Sequence, residues 1–477
     1  MFRSIRNIVI LVLSAFLGMT SCSDDPVFIT DSSATLDLRQ DTVFFDTVFT
    51  SLTPRIPRSV NKQIVVVNPH DKPIMTDFRL AGGTSSPYRI NVDGEIGPEV
   101  NGVEILARDS VFVFVEISAD PNNDPEALPL IVRDSIVLTT NGNTQQVQLV
   151  AWGQDAHYFL RDTVCNEVFA DKEKPYVVYG YLYVPENCNL TIREGVQLHF
   201  APGAWLYVEG SLSILGTKDE PVKFEGDRLQ PAFEETAGQW GGIWLDYLSS
   251  NNRIRYAEIK NGTVGIFCDS SSTLNVNGPP NVLVENTMVR NMTFDGLSGK
   301  TAHIRARNSI FANCGRYTFL GLWGGIYDLK HCNFVTYNYE FARRDPTFVL
   351  NNARFNEFGG LEELYGITYN VQNCIVEGSL DEEMGFGIIG RDDTVVFPPG
   401  IDTTLDYNLI RTEMNLNKGG QSNVFNQNPE FVDFRKHDYH IPNSSPAKDI
   451  GTDVGINIDF ENNARDSEPD AGAFEVQ

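Results

Sequence analysis

Four stretches of this chain repeat one phrase. VLVENTMVRNM, HIRARNSIFANC, YDLKHCNFVTYN and NVQNCIVEGS each place polar and turn residues between short apolar runs. Alignment on Met288, Ile310, Phe334 and Ile375 gives steps of 22, 24 and 41 residues, the last read as about two repeats. A step near 22 suits one coil of three short strands, and a fixed period of this length marks a stacked architecture. One such coil cannot bury its own inward face. Stacked coils share a continuous core, so inward positions are apolar while alternate positions stay polar. The repeat therefore predicts an all-β stack from about residue 176 to residue 420, with Val289, Phe311 and Ile375 inward.

Other residues fit the same frame. Asn261, Asn291 and Asn313 each fall two places after an apolar residue. Asparagine tolerates left-handed backbone, so a ladder of stacked asparagines at a tight turn is expected. In GQWGGIWLDYLSSNNRIRYAEIKNG, residues 238 to 262, the glycines 241, 242 and 262 supply turns, and Ile243, Leu245, Ile254 and Ile259 point inward. WGGI recurs at Trp323 to Ile326 and reads as a structural corner, because repeated positions serve stacking.

The stretch LTIREGVQLHFAPGAWLYVEGSLSILGTKDEPVKFEGD, residues 190 to 227, resembles the opening coils of right-handed parallel β-helix proteins with the pectate-lyase-like fold. On that resemblance residues 156–423 are assigned to a right-handed parallel β-helix. The tail, FNQNPEFVDFRKHDYHIPNSSPAKDIG followed by IDFENNARDSEPDAGAFE, resembles the closing segment of many secreted β-helix proteins. Residues 424–477 are assigned to a C-terminal cap, which an open strand edge and exposed core require.

Before the repeat, residues 28–155 run as short alternating strands: 42–49, 63–67, 88–92, 111–117, 134–138 and 146–151. NPHDKP, DG and NGN supply turns at the spacing of a seven-strand sandwich. IVVVNPHDKPI, SVFVFVEIS and VQLVAWGQ resemble the immunoglobulin-like modules of bacterial surface proteins, which serve as spacers or docking units.

The first residues speak to location. Arg3 and Arg6 precede an apolar run from Ile8 to Gly18, the pattern of a secretory leader and too short for a spanning helix. LGMTSC resembles the lipobox of bacterial lipoproteins, which implies a leader over residues 1–21 and lipid on Cys22. SDD after it resembles the acidic tag of Bacteroidetes surface lipoproteins, within a tether of residues 22–27. The expectation is a protein anchored to the outer membrane through acyl chains on Cys22 and facing outward. With 63 acidic against 37 basic residues, net charge −26, nucleic acid and anionic headgroups are poor partners. Six cysteines remain beyond Cys22, too few for a disulfide scaffold. Cys165 and Cys188 can pair in an oxidising compartment. Cys314, Cys332 and Cys374 lie in apolar patterns and read as core residues.

Chemistry is sparse. β-Helix lyases need a Lys or Arg base, often with Ca²⁺ held by carboxylates, and β-helix glycosidases use carboxylate pairs. Asp392 and Asp393 form the one Asp-Asp pair of the repeat region and read as a solvated turn; Arg343-Arg344-Asp345 reads as a loop ion pair rather than a lyase base. No metal-ligand spacing, dinucleotide fingerprint or phosphate loop occurs, so no cofactor is expected. Thr42, Thr47, Ser110, Ser135, Thr163, Thr394 and Thr403 each follow an aspartate and resemble Bacteroidetes O-glycosylation sites. Alternation places Leu182, Val184, Leu206 and Val208 inward, so Tyr181, Tyr183, Trp205 and Tyr207 must face out. Such a patch either binds a glycan or protein, or packs against the preceding sandwich. Two functions follow: a non-catalytic surface lipoprotein that binds through a β-helix face, or a β-helix polysaccharide lyase or glycosidase.

Overall fold

The computed structural model describes residues 27–49, 61–117, 130–271, 274–275, 277–337, 343–389, 403–414, 416 and 422–477. Among them the chain is strand and turn, with helical turns only three residues long, and no helix is long and apolar enough to cross a membrane. Contacts divide it after Gln154 into two compact units, each taken separately below.

Among the described residues the first unit has nine strands: β1 (Thr42–Phe49), β2 (Asn61–Val67), β3 (Ile74–Leu80), β4 (Tyr88–Val92), β5 (Glu95–Gly97), β6 (Glu99–Ile105), β7 (Ser110–Ile117), β8 (Leu130–Thr140) and β9 (Asn143–Gln154). They form two sheets, β1-β9-β8-β3-β6 and β2-β7-β4-β5. Strict alternation in β7 buries Val111, Val113, Val115 and Ile117 and leaves Phe112 and Phe114 exposed. Phe45, Phe78, Ile136 and Leu149 of one sheet and Ile64, Ile90 and Val113 of the other share one core. The hairpin β8–β9 turns at Asn141 and Gly142, both at positive φ (48° and 82°), where asparagine and glycine are favoured. Seven strands were expected and nine are present among the described residues. β3 alternates through Thr76 rather than an unbroken apolar series, and the glycines and proline around β5 and β6 mask their pattern.

The second unit is a parallel β-helix. Each coil visits three sheets in turn: Trp205–Val208, Ser211–Leu215 and Val222–Gly226 are followed by Gly242–Leu245, which pairs back on Trp205–Val208 in parallel. Stacking repeats residue for residue. Leu182, Leu206, Ile243, Ile266, Leu297, Phe319, Phe348 and Met384 pair in series and are all fully buried. One column of the first sheet thus builds a continuous core that no single coil can close.

The third sheet corrects the sequence register. Met288 pairs with Ile310, Ile310 with Asn333 and Asn333 with Ile375, intervals of 22, 23 and 42 residues. Phe334 sits one place further on, opposite Phe311 and Val376. The long interval is one coil carrying an insertion that includes the antiparallel pair Ala353–Phe355 and Leu361–Leu364, not two coils. Val289 and Phe311 are inward as expected. Ile375 belongs to the opposite row of its sheet, with Ile310, and is buried from outside.

Two left-handed columns hold the turns. Asn261, Asn291 and Asn313 adopt φ of 64°, 57° and 53°, and Asn291 Nδ2 donates to Asn261 Oδ1 at 3.4 Å, one rung of the expected ladder, while Asn313 Nδ2 turns to the Tyr439 hydroxyl at 3.4 Å. A second column, Tyr256, Asn286, Asn308, His331, Asn373 and Tyr407, follows the second-sheet strands from Asn252–Arg255 onward, with φ between 43° and 57°. Cys165 and Cys188 form a disulfide, and Cys268, Cys314, Cys332 and Cys374 are buried free thiols.

The tail is not a lid on the end of the stack. Val424–Phe425 adds the last rung of the third sheet on Leu409–Ile410, and the chain then doubles back along the outside of that sheet. Tyr439, Ala473 and Phe474 pack on Ile310, Ala312 and Val335, while Ile441, Ala447 and Ala471 pack on Ile375 and Leu409. Asn373, Asn308 and Asn286 donate to the carbonyls of Thr452, Ile458 and Phe460 at 2.7, 2.8 and 3.0 Å. The physical reason is the apolar outer row of the third sheet, which needs cover along its length rather than at one end.

Candidate glycan-binding face

The first sheet turns a row of aromatic rings outward. Leu182, Val184, Leu206 and Val208 are fully buried, so alternation turns Tyr181, Tyr183, Trp205 and Tyr207 outward; Tyr181 is 38% exposed and the other three are half-buried. Tyr181 pairs with Trp205 and Tyr183 with Tyr207. The next coils continue the second of these columns with Trp244 and Phe267. Tyr207 and Trp244 lie 6.1 Å apart between ring centroids, and Trp244 and Phe267 4.6 Å. Trp205 lies 5.8 Å from Tyr207, nearly parallel to it.

The WGGI phrase explains how Trp205 lies flat. A Cβ on Gly241 would fall 2.2 Å from the Trp205 ring, and one on Gly242 would fall 2.0 Å from the Val264 carbonyl. The two glycines make the seat on which the indole rests. Trp240 is fully buried and stacks on Phe200 and Phe224, at 4.4 and 6.5 Å. The second copy differs: Trp323 is half-buried on the outside at φ 56°, stacked on Tyr365 at 6.1 Å. Both copies are corners, and only the first supports the aromatic face.

One residue beyond the buried Val208, Leu245 and Cys268 come Glu209, Asp246 and Asp269. Their backbone N–H groups donate to Val184, Val208 and Leu245 at 2.9, 2.9 and 2.8 Å, so the three carboxylates are stacked in consecutive coils. The next position is Lys300, whose Nζ lies 2.9 Å from Asp269 Oδ1. Tyr181, Tyr183, Tyr207, Val208, Glu209 and Asp246 line a groove of about 310 Å³. The Tyr183 hydroxyl donates to Glu209 Oε2, which pushes the phenol up to about 12. Burial raises the Asp246 carboxyl above the ordinary range, and the charges of Glu209 and Asp269 add to it. Backbone N–H groups at Tyr247 and Leu248 serve this carboxylate, yet its Oδ1 is buried without a hydrogen-bond partner. Burial would raise Asp269 too, but Lys300 and the Ser270 N–H hold it below its ordinary value.

Aromatic faces beside carboxylate acceptors can pack on sugar C–H surfaces and take hydroxyl donors. Trp244, Phe267, Glu209, Asp246 and Asp269 were not singled out from the sequence. The signal was there: YVEG, WLDY and FCDS each close an outward-inward pair with an acid, but they recur at unequal spacing.

The remaining candidates do not gather. Thr42 and Ser110 are half-buried at the starts of β1 and β7, Thr47 lies within β1, Thr163 is exposed and Thr403 is half-buried. Ser135 is 8% exposed within β8, between β9 and β3 in the sheet, and is closed to modification in the folded chain. Cys22, Asp392, Asp393 and Thr394 lie outside the described residues. Arg343 is no lyase base: its guanidinium is buried in a two-toothed pair with Glu383, while Asp345 meets Arg316 at 4.0 Å. Among the described residues no group of three or more His, Cys, Asp and Glu is set to hold a metal.

No family model and no curated protein matches the chain. Solved structures are similar only distantly. A family 123 glycoside hydrolase from Clostridium perfringens is 12% identical over 25% of this chain and 26% of that one, TM-score 0.17, so the chain spans about a quarter of its length. The catalytic unit of a GH87 alpha-1,3-glucanase from Streptomyces thermodiastaticus is 12% identical over 74% of this chain and 68% of that one, TM-score 0.20. The Agl-KA catalytic domain is 10% identical over 77% of this chain and 90% of that one, TM-score 0.23. The parallel β-helix accordingly rests on the strand pairing of this chain itself.

Proposed function

We propose that this chain is a lipid-anchored protein of the outer-membrane surface, non-catalytic, whose right-handed β-helix binds a glycan along the exterior of its first sheet. The single observation that carries the reading is the outward column Tyr183, Tyr207, Trp244 and Phe267 beside the groove at Glu209 and Asp246. The large rings of that sheet's inner row, Phe319 and Phe348, are consumed by the core, whereas these rings stand on its outer row, where apolar surface marks interaction. LGMTSC and the acidic residues after it support anchoring through Cys22, and the two-sheet first unit serves as an immunoglobulin-like spacer. Thr163, exposed at a strand end, is the best placed of the O-glycosylation candidates. Alanine at Tyr183 and Trp205 tests the binding face. Lost retention on immobilised polysaccharide with unchanged melting supports it; a lowered melting temperature with retention intact would mean the rings only hold the fold.

A second reading, glycoside hydrolysis, is favoured by one observation. Asp246, raised by burial, lies one coil from Glu209 and one from Asp269, which is held low by Lys300. Carboxyls pushed in opposite directions at one site are the pattern of an acid and its partner. New reducing ends from a polysaccharide, abolished in Asp246→Asn, would establish it.

A further inference from the structure

We infer that the groove takes an uncharged glycan lying lengthwise along the stack and turns away glycans that carry carboxylate or sulfate groups. This rests on the glycan-binding reading above. The direction comes from the pairing: Tyr183, Tyr207, Trp244 and Phe267 occupy four consecutive coils. Coils rise by about 4.8 Å, so the rings extend over about 14 Å along the stack axis. A ligand that meets all four must be a chain, running with the axis rather than across it.

The charge preference comes from the column beside the rings. Glu209, Asp246 and Asp269 follow one another at the same spacing, and among the described residues no Lys, Arg or His lines the groove. The nearest cation in that column, Lys300, is held by Asp269 at 2.9 Å. Glu186 adds a further negative charge felt at Tyr183. An anionic sugar brought against this row meets like charge with no partner to neutralise it, and the net charge of −26 repels it from further away. A single uncompensated contact of this kind weakens binding by about tenfold or more. A neutral sugar instead offers hydroxyl donors, and a carboxylate is the stronger kind of acceptor for them. Glu209 and Asp246, which line the groove, carry such acceptors. The same row disfavours the lyase alternative, because proton abstraction beside a uronate needs that sugar's own carboxylate neutralised.

The test is a retention assay of the chain carrying Cys22→Ser, which removes the proposed anchor, on xylan, mannan, β-glucan, starch and galactan as neutral probes, chitosan as a cationic one, and polygalacturonate and heparin as anionic ones. The expected result is retention by at least one neutral polysaccharide and by neither anionic one. Glu209→Gln with Asp246→Asn, and Asp246→Asn alone, should raise retention on polygalacturonate over wild type, with melting temperature recorded to confirm folding. Wild-type retention on polygalacturonate or heparin, or stronger retention on chitosan than on any neutral probe, overturns the inference and leaves the glycan reading standing. Retention on none of the probes overturns both.

Discussion

Arg465 is the residue on which the tail's attachment turns. It is about 2% exposed at the side chain, and its guanidinium meets Glu475 at 3.0 Å, itself 3% exposed. Nη2 also donates to the carbonyls of Gly472 and Ala473 at 3.0 and 3.1 Å and to Asn308 Oδ1 at 3.1 Å. Burial draws Arg465 below its ordinary value and pushes Glu475 up, so each charge depends on the other. Arg465→Met keeps the length and removes the charge, stranding the Glu475 carboxylate in the interior. Breaking a buried pair from one side costs about 3–5 kcal/mol, a large share of the roughly 5–15 kcal/mol available to a folded domain. Urea unfolding followed by circular dichroism measures it, and limited proteolysis after residue 450 reports whether the tail leaves first. Glu475→Gln on the Arg465→Met background should restore about 0.5–3 kcal/mol, the usual coupling between partners in one network. A loss under about 1 kcal/mol in Arg465→Met would refute the claim that Arg465, paired with Glu475 and bonded to Asn308, fastens the tail.

Three further outcomes are expected. Burial alone would raise Glu235, but hydrogen bonds from His437 and Arg290 hold it down at about 2. Its contribution to stability is therefore complete above the ordinary glutamate range near about 4.3 and is lost as pH falls toward about 2; urea midpoints of Glu235→Gln should lack that part of the acid dependence, and parallel curves would contradict the assignment. Among the six cysteines beyond Cys22, alkylation in denaturant without reductant should label Cys268, Cys314, Cys332 and Cys374, with Cys165 and Cys188 labelled only after reduction, as mass spectrometry of peptides can read. Gly241→Ala should lift Trp205 from its seat, costing about 1–3 kcal/mol by overpacking and weakening glycan retention; a variant that melts and binds like wild type would show that the seat does not matter.

The stack was legible because its signal is local and repeated. Alternation in YGYLYV and AWLYVEG placed Leu182, Val184, Leu206 and Val208 in the core and their neighbours outside with no knowledge of the rest. The asparagine column was legible for the same reason, since left-handed backbone selects residue types directly. Ile375 was misplaced because both of its sheet's faces are buried, one by the core and one by a tail that arrives from far along the chain. A strand apolar on both faces has no alternation to read. The long coil between Asn333 and Ile375 was counted twice because an insertion and a second coil lengthen a sequence alike. Glu209, Asp246 and Asp269 became a site only when pairing stacked them, for their separations of 37 and 23 residues follow no period.

The most direct measurement is a crystal structure of the protein with an oligosaccharide taken from whichever neutral polysaccharide retains it. The account predicts a chain of sugar rings lying along the stack, packed on Tyr183, Tyr207, Trp244 and Phe267, with hydroxyls on Glu209 and Asp246. Sugar bound elsewhere, with those rings bare, would contradict it.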